Sequence, residues 1–411
     1  MTGPTPIVRK RLRGLSTTGA FGVGSFGLML VFASSGMPVP LYTVYRAENG
    51  LTDSALAVTT VVYLAVTAAT LLFLGRLSDA VGRRPVITAA LVSSALGCLL
   101  LTQVDSLPIL IAGRSLQGLA CGLAASSLGS YVVETAPRSP SWLGPLMAAS
   151  APTFGIPLGA VVSGVLVETA PAPRLLGYES VAALLLLTAC VMIFAPESVA
   201  RPSGAVRAAL VPRIAFPRGS RRASLITLVV GVFLATWSYT GFYQAFAPAL
   251  TVERLGTTNS VVVSLVFASI VALSPLGGAV TGRLAPFVAI RVGLIGFLVT
   301  VATAVAALAA GSAVLLIGAS LAAGVAMGAA TTGVMRALLA DAPAVQRAGL
   351  LAAVYLVSYL AAALPSLVAS IVAPAVDLLT IAVGYGVLVL VAVALGATAS
   401  AVHTRRSRDR G

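Results

Sequence analysis

The sequence predicts an all-α integral membrane protein with 12 transmembrane helices in two pseudo-symmetric six-helix bundles. Three observations predict this fold class. The mean hydropathy is +1.02 and only 9% of the 411 residues are charged, values far from those of soluble domains. Apolar runs of about 20 residues, the length that a helix needs to cross a bilayer, recur along the chain without strand-like alternation. Short patterns of the first half also return, in order, in the second half.

The apolar runs place the 12 predicted spans at residues 19–42, 54–76, 86–104, 107–131, 141–168, 177–195, 223–250, 259–282, 288–309, 312–338, 348–375 and 378–402. The longest polar interruption follows the sixth span and is rich in arginine, proline and glycine, which is typical of a connection between domains. We therefore predict a first bundle over 15–195, a cytoplasmic linker over 196–222, a second bundle over 223–402 and a cytoplasmic tail over 403–411.

Three pairs of similar stretches relate the two halves by offsets of 208, 207 and 205 residues. PLYTVYR at Pro40 returns as PALTVER at Pro248, GRLSD at Gly75 returns as GRLAP at Gly282, and GRSLQGLACGLAASS at Gly113 returns as GASLAAGVAMGAATT at Gly318. Chance similarity in an alanine-rich chain is the alternative explanation. The common order and the nearly equal offsets favour a duplicated six-helix unit, which is one plan of membrane transporters.

The formal net charge of +14 has an uneven distribution along the chain. If the N-terminus is cytoplasmic, 22 of the 26 basic residues fall in segments on the cytoplasmic side. The excess of arginine is then the topological signal of a membrane protein, and it does not indicate a nucleic-acid partner. We expect a multi-pass protein of the plasma membrane, surrounded by lipid and monomeric, with both termini in the cytoplasm.

The charged stretch GRLSDAVGRRP lies between the second and third spans. Asp79 stands at the end of a helix, where the helix dipole disfavours a carboxylate, so that it needs a compensating partner. Gly82 permits a tight turn, which brings Arg83 and Arg84 within reach of Asp79 and of exposed helix carbonyls. A further candidate partner is the N-terminus of the eleventh span in the other half, just after Arg347. An alternative is that the arginines only enforce topology and the aspartate keeps the loop soluble.

This stretch resembles the loop signature of the major facilitator superfamily, G-x-L-[AS]-D-x-x-G-R-[RK]. The matching positions are Gly75, Leu77, Ser78, Asp79, Gly82, Arg83 and Arg84, whereas Ala80 replaces the usual basic residue. The resemblance implies a charge relay that holds the two bundles together while the cavity faces outward and releases them when it faces inward. The missing basic residue implies a weaker latch.

Arg114 is predicted about 10 Å inside the fourth span, at 1.5 Å of rise per residue. A charge there is unfavourable and points to a function, although pairing with carbonyl groups or snorkelling to the surface is the alternative. Arg114, Gln117 and Gly118 resemble the R-x-x-Q-G signature that is associated with proton-coupled members of the same family. Such members commonly place an acid nearby, but the only candidates lie near span ends: Glu134, Glu168 and Glu179.

The seventh span concentrates aromatic and hydroxyl side chains in TWSYTGFYQAF. Aromatic walls with few hydrogen-bonding groups suit a cavity for organic molecules, whereas an interfacial aromatic belt is the alternative. The candidates for the substrate-binding cavity are Trp237, Thr240, Tyr243 and Gln244, with Tyr355 and Tyr359 of the eleventh span.

The fifth span contains PTFGIPLGA, from which Gly155, Pro157 and Gly159 are predicted to bend the helix. The stretch resembles the G-P-x-x-G-G bend of the family's exporters. Its proline is displaced by one residue, and Ala160 stands in place of the final glycine.

The resemblance implies a secondary transporter of small organic molecules that works by alternating access, and we expect proton-coupled efflux. No phosphate-binding G-x-x-x-x-G-K-[ST] loop occurs, so a proton gradient rather than ATP or another cofactor is the expected energy source. The alternatives are proton-coupled or facilitative uptake of a metabolite or sugar and, more remotely, a membrane-embedded enzyme. The single histidine, His403, and the scattered acids favour neither an enzyme nor a metal site.

Overall fold

The chain folds into helices throughout the residues that the computed structural model describes, which are 15–199, 205–212, 222–340, 342 and 344–408. In the described part of the first half, the helices are α1 (Thr17–Gly36), α2 (Pro38–Asn49), α3 (Asp53–Leu74), α4 (Leu77–Val81), α5 (Arg83–Leu101), α6 (Leu107–Thr135), α7 (Leu143–Thr169) and α8 (Pro173–Ile193). The short α9 (Val206–Leu210) follows, and then α10 (Arg222–Leu255), α11 (Ser260–Ala272), α12 (Ser274–Thr281), α13 (Pro286–Ala309), α14 (Ala313–Leu339), α15 (Ala344–Val372) and α16 (Leu378–Arg408).

Several helices begin where the sequence offers a capping side chain. Ser16 Oγ accepts a hydrogen bond from the N–H of Gly19 at 3.1 Å, and Thr52 Oγ1 accepts one from Ala55 at 3.2 Å. Asn259 caps α11 through its Oδ1 atom. These side chains satisfy the free N–H groups of a first helical turn, so the boundaries of these spans are encoded locally.

Within the described residues, 12 helices or helix pairs are long and apolar enough to cross a membrane. The prediction of 12 spans is confirmed. Two spans are each divided into two helices: α1 and α2 are separated at Met37, before Pro38, and α11 and α12 are separated at Leu273, before Pro275. A proline lacks the N–H that an uninterrupted helix would need at each break.

The buried apolar side chains form two clusters, one built mainly from the helices before the linker and the other mainly from those after it. A few residues cross over: Tyr359, Ala362 and Ala363 join the first cluster, and Val39, Ala57 and Ala160 join the second. The halves meet mainly where α3 packs on α15 and α7 packs on α11, and α10 also packs on α2 and α3. We call this contact zone the seam.

The molecule has two ends, which we name by the turns that they carry. The motif end carries the turn from α3 through α4 into α5, and the opposite end carries the turn from α2 into α3. The part of the predicted linker that the structure describes lies at the motif end. Its described helix α9 packs against α3 and α4, and Arg76 donates a hydrogen bond to the carbonyl of Ala208 at 3.3 Å.

Candidate functional site

The turn at the motif end depends on Gly82. Its backbone has φ of 101° and ψ of 155°, a conformation that is essentially restricted to glycine. A Cβ atom at this position would also lie only 2.8 Å from Glu197 Oε2. Gly82 is therefore required both by the path of the chain and by the carboxylate packed against it.

Glu197 caps the helix that follows this turn. Its Oε1 accepts a hydrogen bond from the N–H of Arg83 at 2.8 Å, and its Oε2 accepts one from the N–H of Arg84 at 3.1 Å. A carboxylate at the N-terminus of α5 satisfies free N–H groups and interacts favourably with the helix dipole. The sequence did not indicate this role, because Glu197 lies more than 100 positions after Arg83 and Arg84.

Arg83 is 9% exposed and is the centre of a charged cluster. Its Nη1 lies 2.7 Å from Asp79 Oδ1, and its Nε and Nη2 form a fork on Glu134 at 3.3 and 2.8 Å. The side chain of Asp79 is 59% exposed. Among the described contacts, Asp79 thus pairs with Arg83 alone and remains accessible, whereas Arg83 also binds the carboxylate of Glu134.

The other residues of the motif also lie among residues of the first half. Arg84 donates to the carbonyl of Ile193, and Gly75 ends α3. Ala80, which replaces the usual basic residue of the signature, is only 2% exposed. In this conformation, a long basic side chain at position 80 would point into the protein.

Replacing Gly82 by alanine is expected to destabilise the protein by about 2 kcal/mol, because a non-glycine residue is strained in this region of φ and ψ and displaces the Glu197 cap. The measurement is the thermal unfolding of detergent-solubilised protein. Gly384→Ala is the matched control, since a Cβ atom there would meet nothing within 4 Å. Equal unfolding temperatures for the two variants would contradict the assignment.

Arg114 lies in α6, fully buried, and binds the first span. Its Nη1 donates to the carbonyl of Ser35 and to Gln117 Oε1, both at 2.8 Å. The amide of Gln117 in turn donates to the carbonyl of Ser34 at 2.8 Å. The guanidinium also lies over the ring of Tyr63, 4.4 Å from its centroid. The sequence pattern therefore corresponds to one connected polar network.

The break at Pro38 explains why this network forms. Ser34 lies four residues before Pro38, which has no N–H to donate to the Ser34 carbonyl. A carbonyl without a donor inside a membrane is unfavourable, and Gln117 supplies the donor. Gly118 permits the close approach of α6 to α3, because a Cβ atom there would lie 2.7 Å from the carbonyl oxygen of Tyr63.

Arg114 is only partly satisfied by this network. In the described part of the chain, its buried Nε and Nη2 atoms have no hydrogen-bond partner, and none of the ion pairs involves it. A buried charge without a countercharge is unfavourable by several kcal/mol. Pairing with carbonyl groups was the alternative to a functional role for Arg114. It accounts for Nη1 and leaves the Nε and Nη2 edge of the guanidinium without an acceptor among the described residues.

The aromatic candidates separate into two groups. Trp237 packs edge-to-face on Tyr359, with ring centroids 5.1 Å apart, and both contact the cluster of the first half at the seam. Tyr243 is 1% exposed and shares a hydrogen bond with Ser320 at 2.5 Å inside the second half. The structure thus brings Trp237 and Tyr359 to the seam and places Tyr243 in a core.

The remaining candidates of this set have different surroundings. Thr240 donates to the carbonyl of Thr236 at 2.9 Å and lies 3.6 Å from Met327 Sδ. Gln244 is 6% exposed, whereas Tyr355 is 45% exposed. Tyr355 is consequently the most accessible of the six predicted cavity residues.

The predicted bend residues bring α7 against α1. A Cβ atom on Gly155 would lie 2.8 Å from Phe32 Cβ, and one on Gly159 would collide with the carbonyl of Ala33. Pro157 lies inside α7, which continues from Leu143 to Thr169. These glycines permit close packing of two helix backbones.

Bonds across the seam are concentrated at the opposite end. They join Arg46 to Glu253 at 3.8 Å, Ser54 to the carbonyl of Ser370 at 2.7 Å, Glu168 to the N–H of Ser260 at 2.6 Å, and Ser264 to the carbonyl of Ala160 at 2.9 Å. Gly164 lets α7 and α11 approach here, since its Cβ atom would lie 2.5 Å from the Ser260 oxygen. The two halves are therefore joined at the opposite end.

The motif end differs from the opposite end. The hydrogen bonds and ion pairs described for Asp79, Arg83 and Arg84 all lead to residues of the first half or to the start of the linker. Among these contacts, none joins the motif to the second half. The side chains at the start of α15, near the predicted partner helix end at Arg347, lie outside the described region.

Two six-span groups that meet at a central seam define the architecture of a polytopic membrane transporter. Residues 24–366 match the family model of the Major Facilitator Superfamily, so the chain belongs to that family. This assignment places it among transporters rather than enzymes.

Solved structures share the fold over nearly the whole chain. The xylose transporter XylE from E. coli aligns with a TM-score of 0.66 and 16% identity, covering 92% of this chain and 96% of that protein. The nucleoside transporter NupG aligns with a TM-score of 0.69 and 10% identity, covering 93% of this chain and 100% of that protein. At these identities the likeness shows the fold alone.

A curated relative matches over a shorter stretch. The uridine/deoxyuridine transporter of Lactococcus lactis subsp. cremoris (strain MG1363) is 33% identical over 96 residues. The match covers 23% of this chain and about a fifth of the relative's length.

Proposed function

We propose that this protein moves small organic molecules across the membrane by alternating access between its two six-helix halves. The observation that carries the proposal is the contrast between the two ends. Four bonds cross the seam at the opposite end, whereas the described contacts of the Asp79 motif remain within the first half and linker. Such a contrast is expected of one state in a cycle that closes the two ends in turn.

The charge distribution supports an orientation for this cycle. The segments that the sequence assigns to the same side as the motif hold 22 of the 26 basic residues when both termini and the linker are counted, which favours the cytoplasmic side. With this orientation, the four bonds join the two halves on the outer side, and the described contacts of the motif on the inner side stay within the first half and the linker. The resemblance of the motif to the family signature implies the same behaviour for an inward-facing state.

We further propose that transport is efflux coupled to protons, and that Glu168 is the coupling carboxylate. The R-x-x-Q-G pattern at Arg114 supports proton coupling by resemblance. Glu168 accepts a hydrogen bond across the seam from Ser260, the first residue of α11, at 2.6 Å. A charged carboxylate at a helix N-terminus is favourable, so protonation would weaken this contact and favour opening of the opposite end.

Uptake is the second candidate function. The similar proteins are named as transporters of uridine and deoxyuridine, of nucleosides and of xylose, and a transporter of such metabolites is as compatible with uptake as with efflux. Uptake would use the same fold and the same seam, with the direction of net transport reversed.

A flux measurement with imposed pH gradients distinguishes these candidates. Purified protein is reconstituted, and the movement of labelled uridine, xylose, benzoate and ethidium is followed with the gradient in either direction. We expect outward movement of one probe driven by inward movement of protons, and at least a tenfold loss of gradient dependence in Glu168→Gln. Glu179→Gln is the control, because that carboxylate is exposed on α8. Proton-driven inward flux would establish uptake, and gradient-independent flux would contradict proton coupling.

A further inference from the structure

The free edge of Arg114 has the geometry of a carboxylate-binding group. Nη1 is occupied by the Ser35 carbonyl and by Gln117, whereas Nε and Nη2 are buried and have no acceptor in the described part of the chain. The Nε–H and Nη2–H groups leave the same side of the planar guanidinium. This is one of the edges that can hold a carboxylate through two parallel, charge-assisted hydrogen bonds.

The protein itself offers this edge no countercharge among its described residues. The ion pairs there involve three arginines, Arg46, Arg83 and Arg174, and all three lie near an end of the molecule. The neighbours of Arg114 in its network are serine, glutamine and tyrosine, which carry no charge at neutral pH. A buried cation in neutral surroundings favours a ligand that brings an anion.

The surroundings of Arg114 also favour an organic ligand over a bare ion. The ring of Tyr63 covers the guanidinium and belongs to the same apolar cluster as Tyr359, which comes from the other half. Trp237 packs on Tyr359 at the seam. Arg114 is sealed from solvent in this state, so a ligand would enter when α3 and α15 separate and would then lie between aromatic rings and the arginine.

We propose that Arg114 binds the carboxylate of the transported molecule, and that the substrate class is a monocarboxylate with an aromatic or apolar body. This inference rests on the proposed function, because it assigns the ligand of the same seam. Gln117 and the Ser35 carbonyl position the guanidinium by occupying Nη1. Nε and Nη2 bind the two carboxylate oxygens.

The test compares carboxylates with their neutral amides on the full-length protein in detergent. Benzoate, phenylacetate and 4-phenylbutyrate are each titrated beside the corresponding amide, and thermal unfolding reports binding. At least one carboxylate is expected to bind tenfold or more tightly than its amide, and sodium chloride at equal ionic strength is expected to give no such stabilisation. The absence of any preference for a carboxylate would overturn the proposal, as would equal protection by chloride.

Two variants connect such a preference to Arg114. Arg114→Lys keeps the charge but loses the fork, so the preferred carboxylate should bind at least tenfold more weakly. Arg114→Gln removes the fork together with the buried charge and leaves Gln117 as the donor to the Ser34 carbonyl, so it should fold and lose the preference. Arg174→Lys, near the opposite end, should behave as the wild type. If Arg114→Lys does not fold, the Arg114→Gln variant decides, and a preference retained there would overturn the proposal.

The binding readout is independent of transport. Loss of gradient-driven flux in a protein that still prefers carboxylates over amides would contradict the proposed function and leave the binding site in place. Gradient-driven flux of a neutral probe, in a protein that shows no carboxylate preference, would support the proposed function and contradict the binding site at Arg114.

Discussion

Gly164→Leu is expected to hold the opposite end of the molecule open and to reduce transport at least tenfold. Gly164 lies on α7 where this helix meets α11, and its Cβ atom would lie 2.5 Å from the backbone oxygen of Ser260. A backbone atom cannot turn aside as a flexible side chain does, so the two helices must separate. Overpacking of this kind changes a free energy by about 1–3 kcal/mol, which shifts a two-state equilibrium by roughly 5- to 150-fold.

The separation can be measured by labelling a cysteine at the seam. Ser54, which donates to the carbonyl of Ser370 across the seam, is replaced by cysteine, and the exposed Cys190 is replaced by serine. Labelling by a membrane-impermeant maleimide should be faster when Gly164→Leu is added. Val162→Leu is the control, since Val162 is 46% exposed on the same helix. Unchanged labelling and transport in the Gly164 variant would show that closure of this end does not depend on close packing there.

Asp79→Asn is expected to fold normally and to transport at least tenfold more slowly. Asp79 is exposed and, among the residues that the structure describes, forms an ion pair with Arg83 alone, while Arg83 also binds Glu134. The stability should change by less than about 1 kcal/mol, because an exposed ion pair contributes little. The loss of transport would arise in the other state of the cycle, in which the carboxylate is proposed to bridge the two halves.

The two parts of this prediction require separate measurements. Thermal unfolding in detergent reports the fold, and initial rates of flux in proteoliposomes report the cycle. Asp105→Asn, at an exposed acid of the opposite end, is the matched control. Wild-type transport rates in Asp79→Asn would reduce the motif aspartate to a topological or solubilising role.

The spans could be predicted from the sequence because the bilayer imposes one rule on every segment that crosses it. An apolar run of sufficient length must satisfy its backbone internally, and a helix does so. The turn at Gly82 could also be predicted, since this glycine lies between Asp79 and Arg83 at the end of a helix. The breaks at Pro38 and Leu273 lie within predicted spans, and the prolines beside them were the available signal.

The partners of the polar residues could not be predicted in the same way. Arg114 was singled out by its charge, but Tyr63 and the carbonyl of Ser35 approach it only through the packing of α1, α3 and α6. The directions in which the aromatic side chains of α10 point could not be predicted either. This helix is buried on almost all sides, so spacing alone did not show that Tyr243 faces Ser320 while Trp237 faces the seam.

Pro38 has a consequence for the way in which this sequence can diverge. A change from proline to alanine would return an N–H to the carbonyl of Ser34, and the amide of Gln117 would lose its role as the donor. Loss of Gln117 alone would leave that carbonyl bare in the hydrocarbon. A carbonyl oxygen can accept two hydrogen bonds, so the change at position 38 is tolerated by itself, whereas loss of Gln117 is tolerated only after that change, although 78 residues separate the two positions in the chain.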